Sequence, residues 1–327
     1  MTNTTRWGIL GSGSIAKQFA RGLADTPNAV LQSVGSRAQK SADAFADQFD
    51  IPTRHASYEA LANDPEIDAI YVSTPHPFHK DNSILCLEAG KAVICEKPFA
   101  INAAEAEAVV QVARDQGVFL MEAMWSRYFP AMVKVKEWLD EGAIGDVRIV
   151  SADFGFRTGI NPEGRLFNPA LGGGALLDVG IYVTSFASFV LGPNPTRIQS
   201  LANIGETGVD EQNTILLGYE NGAMAMLTSA VRTSTPHEAR IIGTDGTITI
   251  PTHFWKAEKA TLTAGDRVEE IDIKPTGNGY NYEAAEVGRC LDAGLLESPT
   301  MPLDETIALM KILDAIRADW GLTYPME

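Results

Sequence analysis

The chain is short of positive charge, with 26 Lys and Arg against 42 Asp and Glu and a formal charge of −16. That balance speaks against a nucleic acid or an anionic membrane as partner, since both select basic surfaces. Cysteine is scarce as well. Cys86, Cys95 and Cys290 are odd in number, and two of them stand in apolar contexts, so neither a disulfide framework nor a zinc site is indicated and no metal is expected. No uninterrupted apolar run is read as long enough to span a bilayer, and no internal repeat or low-complexity tract appears. The start, Met1-Thr2-Asn3-Thr4-Thr5-Arg6, lacks the stretches of a signal peptide, so the expected location is the cytoplasm. What the chain does have is 327 residues of which 45% are apolar, enough to build two cores.

The first of these reads as a nucleotide-binding sheet. Trp7-Gly8-Ile9-Leu10 is a short buried strand that runs into Gly11-Ser12-Gly13-Ser14-Ile15-Ala16, a G-x-G-x-x-A turn. The first glycine allows the tight turn and the second lets main chain approach a pyrophosphate. The small third residue lets a helix pack on the strand. Apolar residues at helical spacing follow over 14–24, so the amide-rich helix start would face the anion. The next strand, 29–34, ends at Gly35-Ser36-Arg37, where an NAD site would carry Asp or Glu for the ribose hydroxyls. Ser36 can donate to a phosphate oxygen and Arg37 offers it a planar fork, which favours NADP over NAD; a solvated loop arginine is the plainer alternative.

Strand and helix signals alternate onward: strand 69–72, helix 79–89, strand 92–95, helix 103–116 and strand 119–122, the pattern of a parallel sheet with helices on both faces. Thr74-Pro75-His76-Pro77 follows the strand at 69–72 and forms a candidate wall for the nicotinamide end of the cofactor. His79 could contact a neighbouring loop there, structurally or catalytically. The run Ala92-Val93-Ile94-Cys95 ends in Glu96-Lys97-Pro98, so Lys97 stands at the carboxyl end of a buried strand, where an open α/β sheet binds its ligand. By itself such a lysine could equally put its ammonium in water.

The second half begins with an amphipathic helix, 130–141, and a strand, 147–153, then a loop rich in Gly, Pro, Asn and Arg that reads as substrate-side. Gly172-Gly173-Gly174 opens a helix to Leu191 that carries Asp178 and Tyr182 four residues apart, on one face. Tyr182 fits a half-buried core position; beside a lysine ammonium it would also serve as a proton acceptor, because the positive charge favours the phenolate. Residues 196–273 alternate apolar and polar, with turns at Glu220-Asn221-Gly222 and Thr244-Asp245-Gly246. That is an antiparallel sheet with one face on helices and the other open to a partner. Helices at 282–293 and 303–320 close the chain.

With Gly11-Ser12-Gly13, Glu96-Lys97-Pro98 and Asp178-Val179-Gly180-Ile181-Tyr182 in this order, essentially the whole chain resembles the glucose–fructose oxidoreductase, inositol dehydrogenase and MocA family. The segments 121–130, 172–182 and Tyr282-Glu283-Ala284 are most similar to its dihydrodiol dehydrogenase and NADP-dependent D-xylose dehydrogenase branch. The resemblance implies an amino-terminal Rossmann domain, doubly wound and parallel, over 1–123. It also implies an α+β domain with a large, mostly antiparallel sheet over 124–327, which binds substrate and joins the chain into a homodimer or homotetramer. It implies Lys97 and Tyr182 as the catalytic pair, with Asp178 orienting them, in oxidation of a secondary or anomeric alcohol of a sugar or cyclic trans-diol. Inositol dehydrogenases have histidine where Tyr182 stands, which counts against that substrate. The cofactor set under this reading is Gly11, Ser12, Gly13, Ser14, Ile15, Ser36, Arg37, Thr74, Pro75, His76, His79, Glu96, Lys97, Trp125 and Arg127. Trp125, Phe154, Phe156 and Tyr280 are either core or a wall that stacks on the substrate. A reductase of sugar ketones or dicarbonyls, and a non-catalytic NADP sensor, remain as alternatives.

Overall fold

In a computed structural model, which describes residues 3–327, the chain divides into two compact units. One takes residues up to Trp125 together with Thr276–Ile307, and the other takes Ser126–Pro275 with Ala308–Glu327. The chain therefore crosses between the units three times, after Trp125, Pro275 and Ile307.

The first unit alternates strand and helix. Its elements are β1 (Thr5–Leu10), α1 (Ser14–Ala24), β2 (Ala29–Gly35), α2 (Gln39–Phe49), β3 (Thr53–His55), α3 (Tyr58–Ala62), β4 (Ala69–Val72), α4 (His79–Glu88), β5 (Ala92–Glu96), α5 (Ala103–Gln116) and β6 (Leu120–Ala123). The six strands lie in the order β3-β2-β1-β4-β5-β6, all parallel. This is the dinucleotide-binding order, whose switch point falls between β1 and β4. β4 and β5 are buried at every residue, as a sheet covered on both faces requires. β3 and α3 escape a reading by apolar pattern because Thr53-Arg54-His55 is a polar edge strand.

The second unit holds α6 (Pro130–Asp140), β7 (Val147–Gly155), α7 (Ile181–Leu191), β8 (Arg197–Ile204), β9 (Asp210–Gly218), β10 (Met224–Ala230), β11 (Ala239–Gly243), β12 (Thr247–Ile250), β13 (Lys259–Ala264) and β14 (Arg267–Asp272). Its eight strands run β14-β13-β12-β11-β7-β10-β9-β8, antiparallel except for β7 beside β10. In β10 the buried Ala225 and Leu227 alternate with exposed Met224 and Met226, so one face is core and the other is open. Helix α7 packs on β7 and β10 across the buried face. The last helices are α8 (Tyr280–Asp292), in the first unit, and α9 (Leu303–Trp320), which contributes residues to both units.

One expectation is corrected. The stretch Pro169–Leu191, with mean hydropathy 1.7, is long and apolar enough to cross a membrane; 83% of its window is buried inside the protein, so it is a core segment. Its first part also departs from a regular α-helix, since Leu176–Gly180 is a π-helical turn. Asp178 and Tyr182 are therefore not set by α-helical spacing alone.

Candidate active site

The glycine turn has the geometry its sequence requires. Gly11 adopts φ +104°, where a Cβ would also meet Ser73 Oγ at 3.1 Å, so only glycine fits easily. Its amide bonds Gly35 O at 3.0 Å, and Ser73 N bonds Leu10 O at 3.0 Å, which fixes the turn at the switch point. At Gly13 a Cβ would meet nothing within 4 Å among the described residues, so the space beside the turn is open to them. Gly13 starts α1 with no side-chain cap, and the first helical turn holds no acid. Uncapped amides with no competing negative charge suit a pyrophosphate.

Ser12 Oγ and Ser36 Oγ lie 3.4 Å apart, which joins the turn to the end of β2. Ser14 is exposed, Ile15 is half-buried and Arg37 is exposed beside them in sequence. The Tyr58 phenol, which motif reasoning missed, is pushed up by burial and pulled down by the neighbouring Arg37 guanidinium. No acid takes the place of Ser36 or Arg37 at this strand end, so the residues present fit a 2′-phosphorylated nucleotide better than an unphosphorylated one.

Thr74, Pro75 and His76 follow β4 as expected, and His79 opens α4 fully buried. Its Nε2 lies 2.7 Å from Thr74 O and its Nδ1 2.9 Å from Pro98 O. A neutral ring can donate to one carbonyl and an imidazolium to both, so these bonds favour protonation. Burial first, and then the Lys97 ammonium, oppose it, and the pKa is lowered. His79 thus ties the Thr74 loop to the Glu96-Lys97-Pro98 turn. Asn82 Nδ2 adds a bond to Thr74 Oγ1 at 3.1 Å.

Lys97 stands directly after β5, and its amide bonds Glu96 Oε2 at 3.2 Å. Glu96 is buried and accepts the Tyr71 hydroxyl through Oε1. Glu283 of α8, also missed by motif reasoning, is fully buried, and among the described residues neither of its oxygens finds a hydrogen-bond partner. Burial, and then Glu96, push its carboxyl well above the usual range, which favours the uncharged form. Of the four candidate aromatic residues, Trp125 and Tyr280 pair in this unit, stacked with centroids 4.7 Å apart.

The second unit brings together Tyr182, Phe154 and three residues with no local signal. Tyr182 is nearly buried, and Phe154 lies 5.4 Å from it. Phe154 stacks at 3.5 Å on Trp255, and His237 stands 5.3 Å from Phe154 and 4.9 Å from Trp255. His253 lies 5.0 Å from Trp255; burial, then Lys256 and His237, lower its pKa. These contacts arise because β11 pairs with β7, placing Ala239 opposite Ala152, and the stretch before β11 returns to Asp153 through His237 N at 2.6 Å. Phe156 is half-buried, with its amide on Ala230 O at 3.0 Å. Asp178 is buried and paired with Arg165, whose side chain is largely exposed. Arg127 is buried in this unit and bonds Ser185 Oγ through Nε at 3.2 Å and Nη2 at 3.1 Å, its guanidinium 5.8 Å from the Phe189 ring.

A cavity of about 790 Å³ lies elsewhere, at the amino-terminal ends of the strands of the first unit. There Arg6 is paired with Asp68, and Lys91 is held by the carbonyls of Asp64 and Ile67. In an open parallel sheet ligands bind at the opposite, carboxyl ends. Among the described residues no group of three or more His, Cys, Asp or Glu could hold a metal.

Comparison with known proteins bears on the family and the fold. Residues 5–124 match the model of an oxidoreductase family with an NAD-binding Rossmann fold, and residues 132–249 match the GFO/IDH/MocA C-terminal domain. The chain is 42% identical to trans-1,2-dihydrobenzene-1,2-diol dehydrogenase of Mus musculus, covering 98% of each. It is 38% identical to the enzyme of that name from Homo sapiens, again over 98% of each. Among solved structures, an aldose–aldose oxidoreductase from Caulobacter crescentus superposes with TM-score 0.88 at 25% identity, covering 98% of each chain. A 3-ketoreductase from Actinomadura kijaniata, solved with NADP, gives 0.81 at 25% identity over 96% of this chain and 97% of that one. With both halves matched and relatives of this identity spanning nearly its whole length, the chain belongs to the Gfo/Idh/MocA family of oxidoreductases.

Proposed function

We propose that the protein is an NADP-dependent dehydrogenase that oxidises a secondary or anomeric alcohol of a cyclic trans-diol or a sugar. The observation that carries the cofactor half is the uncapped glycine turn followed by Ser36 and Arg37 in place of an acid. The turn and the first amides of α1 would hold the pyrophosphate, and Ser36 and Arg37 the 2′-phosphate. When bound, the nicotinamide accepts the hydride. Support for the substrate half comes from the aromatic surface of Phe154 and Trp255 beside Tyr182, which suits the apolar face of a small ring, and from the relatives that carry the diol dehydrogenase name.

In this reading Tyr182 takes the hydroxyl proton, and the Lys97 ammonium holds the substrate oxygen and favours the phenolate. Asp178, paired with Arg165, orients them. Residues 1–123 serve the cofactor and 124–327 the substrate and self-association. Leu201, Leu216, Met224 and Met226 are exposed on the open sheet face, Leu216 directly opposite Met226, and support a homodimer or homotetramer through that face. The three free thiols fit the cytoplasm.

The test is the absorbance of reduced nicotinamide with benzene trans-dihydrodiol, D-xylose, D-glucose and inositol, with NADP and NAD separately. The reading expects turnover of the diol or a pentose with NADP. Tight NADP binding with no turnover of any substrate contradicts it.

A further inference from the structure

Tyr182 is carried by a helical segment with an irregular beginning. Gly172 and Gly174 have φ +67° and +119°, and Leu176–Gly180 forms a π-type turn. Such a start leaves main-chain groups without helical partners. Two side chains distant in sequence supply them. Asp210, fully buried at the start of β9, accepts Leu176 N through Oδ2 at 2.8 Å. The same oxygen takes Asn213 Nδ2 at 2.8 Å, and Asn213 Oδ1 accepts Ser229 Oγ at 2.9 Å. Ser229 Oγ lies 3.0 Å from where a Cβ at Gly180 would stand, so this chain of bonds touches the segment at both its ends. A Cβ at Gly174 would fall on Asp210 Oδ1, so glycine there is what lets the carboxylate close on the turn.

The second side chain is Tyr324, after α9, whose hydroxyl donates to Gly173 O at 2.7 Å. Its ring lies 4.9 Å from the Arg317 guanidinium. Arg317, itself buried, reaches Asp314 at 2.7 Å and Glu327 at 2.8 Å, and Glu327 Oε2 accepts Tyr324 N at 2.8 Å. The turn at 173–176 is therefore held from β9 on one side and from the segment after α9 on the other.

We infer that Asp210 and Tyr324 are positioning residues for Tyr182, acting through the turn at 173–176. The inference rests on Tyr182 being the proton-transfer group. Asparagine or serine would cap the turn without burying an ionisable group, yet the chain keeps an acid there. Burial pushes its carboxyl up to about 7, against bonds from Asn213, Leu176 N and its own amide; the charged groups near it are Arg317, Glu327 through Arg317, and the ionisable Tyr324. Near neutrality the cap changes charge, and a carboxylate holds the Leu176 amide more strongly than the neutral acid does.

The test uses the full chain with Asp210→Asn and Tyr324→Phe. In wild type kcat carries a limb with a midpoint near pH 7; in Asp210→Asn that limb is absent. Tyr324→Phe lowers kcat by up to about tenfold with KM changed less than twofold, the size of one lost hydrogen bond. Hydrogen exchange of peptides covering 172–182 rises in Tyr324→Phe while peptides from the first unit are unchanged. An Asp210→Asn profile that superimposes on wild type, or exchange at 172–182 that does not move in Tyr324→Phe, overturns the inference. Should Asp210→Asn fail to fold, Tyr324→Phe decides through exchange and the kcat–KM split. Tyr182→Phe separates the two claims: retained turnover removes Tyr182 as the base and the positioning role with it, whereas lost turnover with an unmoved Asp210→Asn profile removes the positioning role alone.

Discussion

The buried Asp210 makes a prediction about stability that needs no substrate. Its carboxyl rises from 3.8 to about 7 on folding, with desolvation the largest cause. That rise corresponds to about 4 kcal/mol at most. The sign follows from which state holds the proton more tightly. Below about pH 4 both states are protonated and the group costs nothing. Between about 4 and 7 the unfolded chain ionises while the folded one stays neutral, so stability falls by about 1.4 kcal/mol per pH unit. Above about 7 both are ionised and the loss levels off. Asp210→Asn removes this titration. Its amide oxygen can still accept Leu176 N and Asn213 Nδ2, but the new NH2 stands where Oδ1 has no hydrogen-bond partner among the described residues. That adds a constant cost of about 1–3 kcal/mol, which does not vary with pH. The other carboxylates of this acidic chain are common to both proteins and cancel in the difference. Urea unfolding of both proteins from pH 4.5 to 8 reads that difference directly. It should move in favour of the variant as pH rises and flatten above 7. A difference that is constant across the range refutes the buried, ionisable cap.

Other expectations follow from single residues. Arg37→Ala weakens NADP binding about 10- to 100-fold, the range of a lost charge-assisted bond, and leaves NAD binding nearly unchanged in a fluorescence titration; equal loss for both shows that Arg37 does not read the 2′-phosphate. At Gly22 a Cβ would stand 2.7 Å from Tyr280 Cβ and 2.9 Å from Asn281 N, so Gly22→Ala forces α1 from α8. Its urea midpoint should fall by the equivalent of about 1–3 kcal/mol despite the helix-propensity gain, and a rise contradicts the close packing. Trp255→Ala removes the ring stacked on Phe154 and raises KM for the substrate by up to about tenfold, an unchanged KM placing that surface outside the pocket. Met226→Glu puts a charge on the open sheet face opposite Leu216 and shifts sedimentation toward the monomer; unchanged assembly moves the interface elsewhere.

Much of the first unit was legible because its signals are local. The turn from Gly11 to Gly13, the strand before it and the helix after it lie within 20 residues, and β4 and β5 announce themselves as apolar runs. β3 and α3 were not, since a polar edge strand of three residues has no periodicity. In the second unit, the alternation along β9 and β10 gave the sheet, while the environment of Tyr182 stayed hidden. Trp255 and His237 lie far from Phe154 in sequence, and Asp210 and Tyr324 reach the glycine turn from 34 and 151 residues away. The π-type turn was invisible because the same apolar, glycine-rich string suits a regular helix. The hydropathy of Pro169–Leu191 misleads in either direction until its burial is known.

The most direct test of the central claim is single-turnover formation of NADPH from the preferred alcohol by Lys97→Met and Tyr182→Phe, each alongside NADP affinity. General acid–base help is worth on the order of 100- to 10,000-fold, so the account predicts a loss of that size in each variant with cofactor affinity within a few fold of wild type. A hydride-transfer rate near that of wild type in either variant contradicts it.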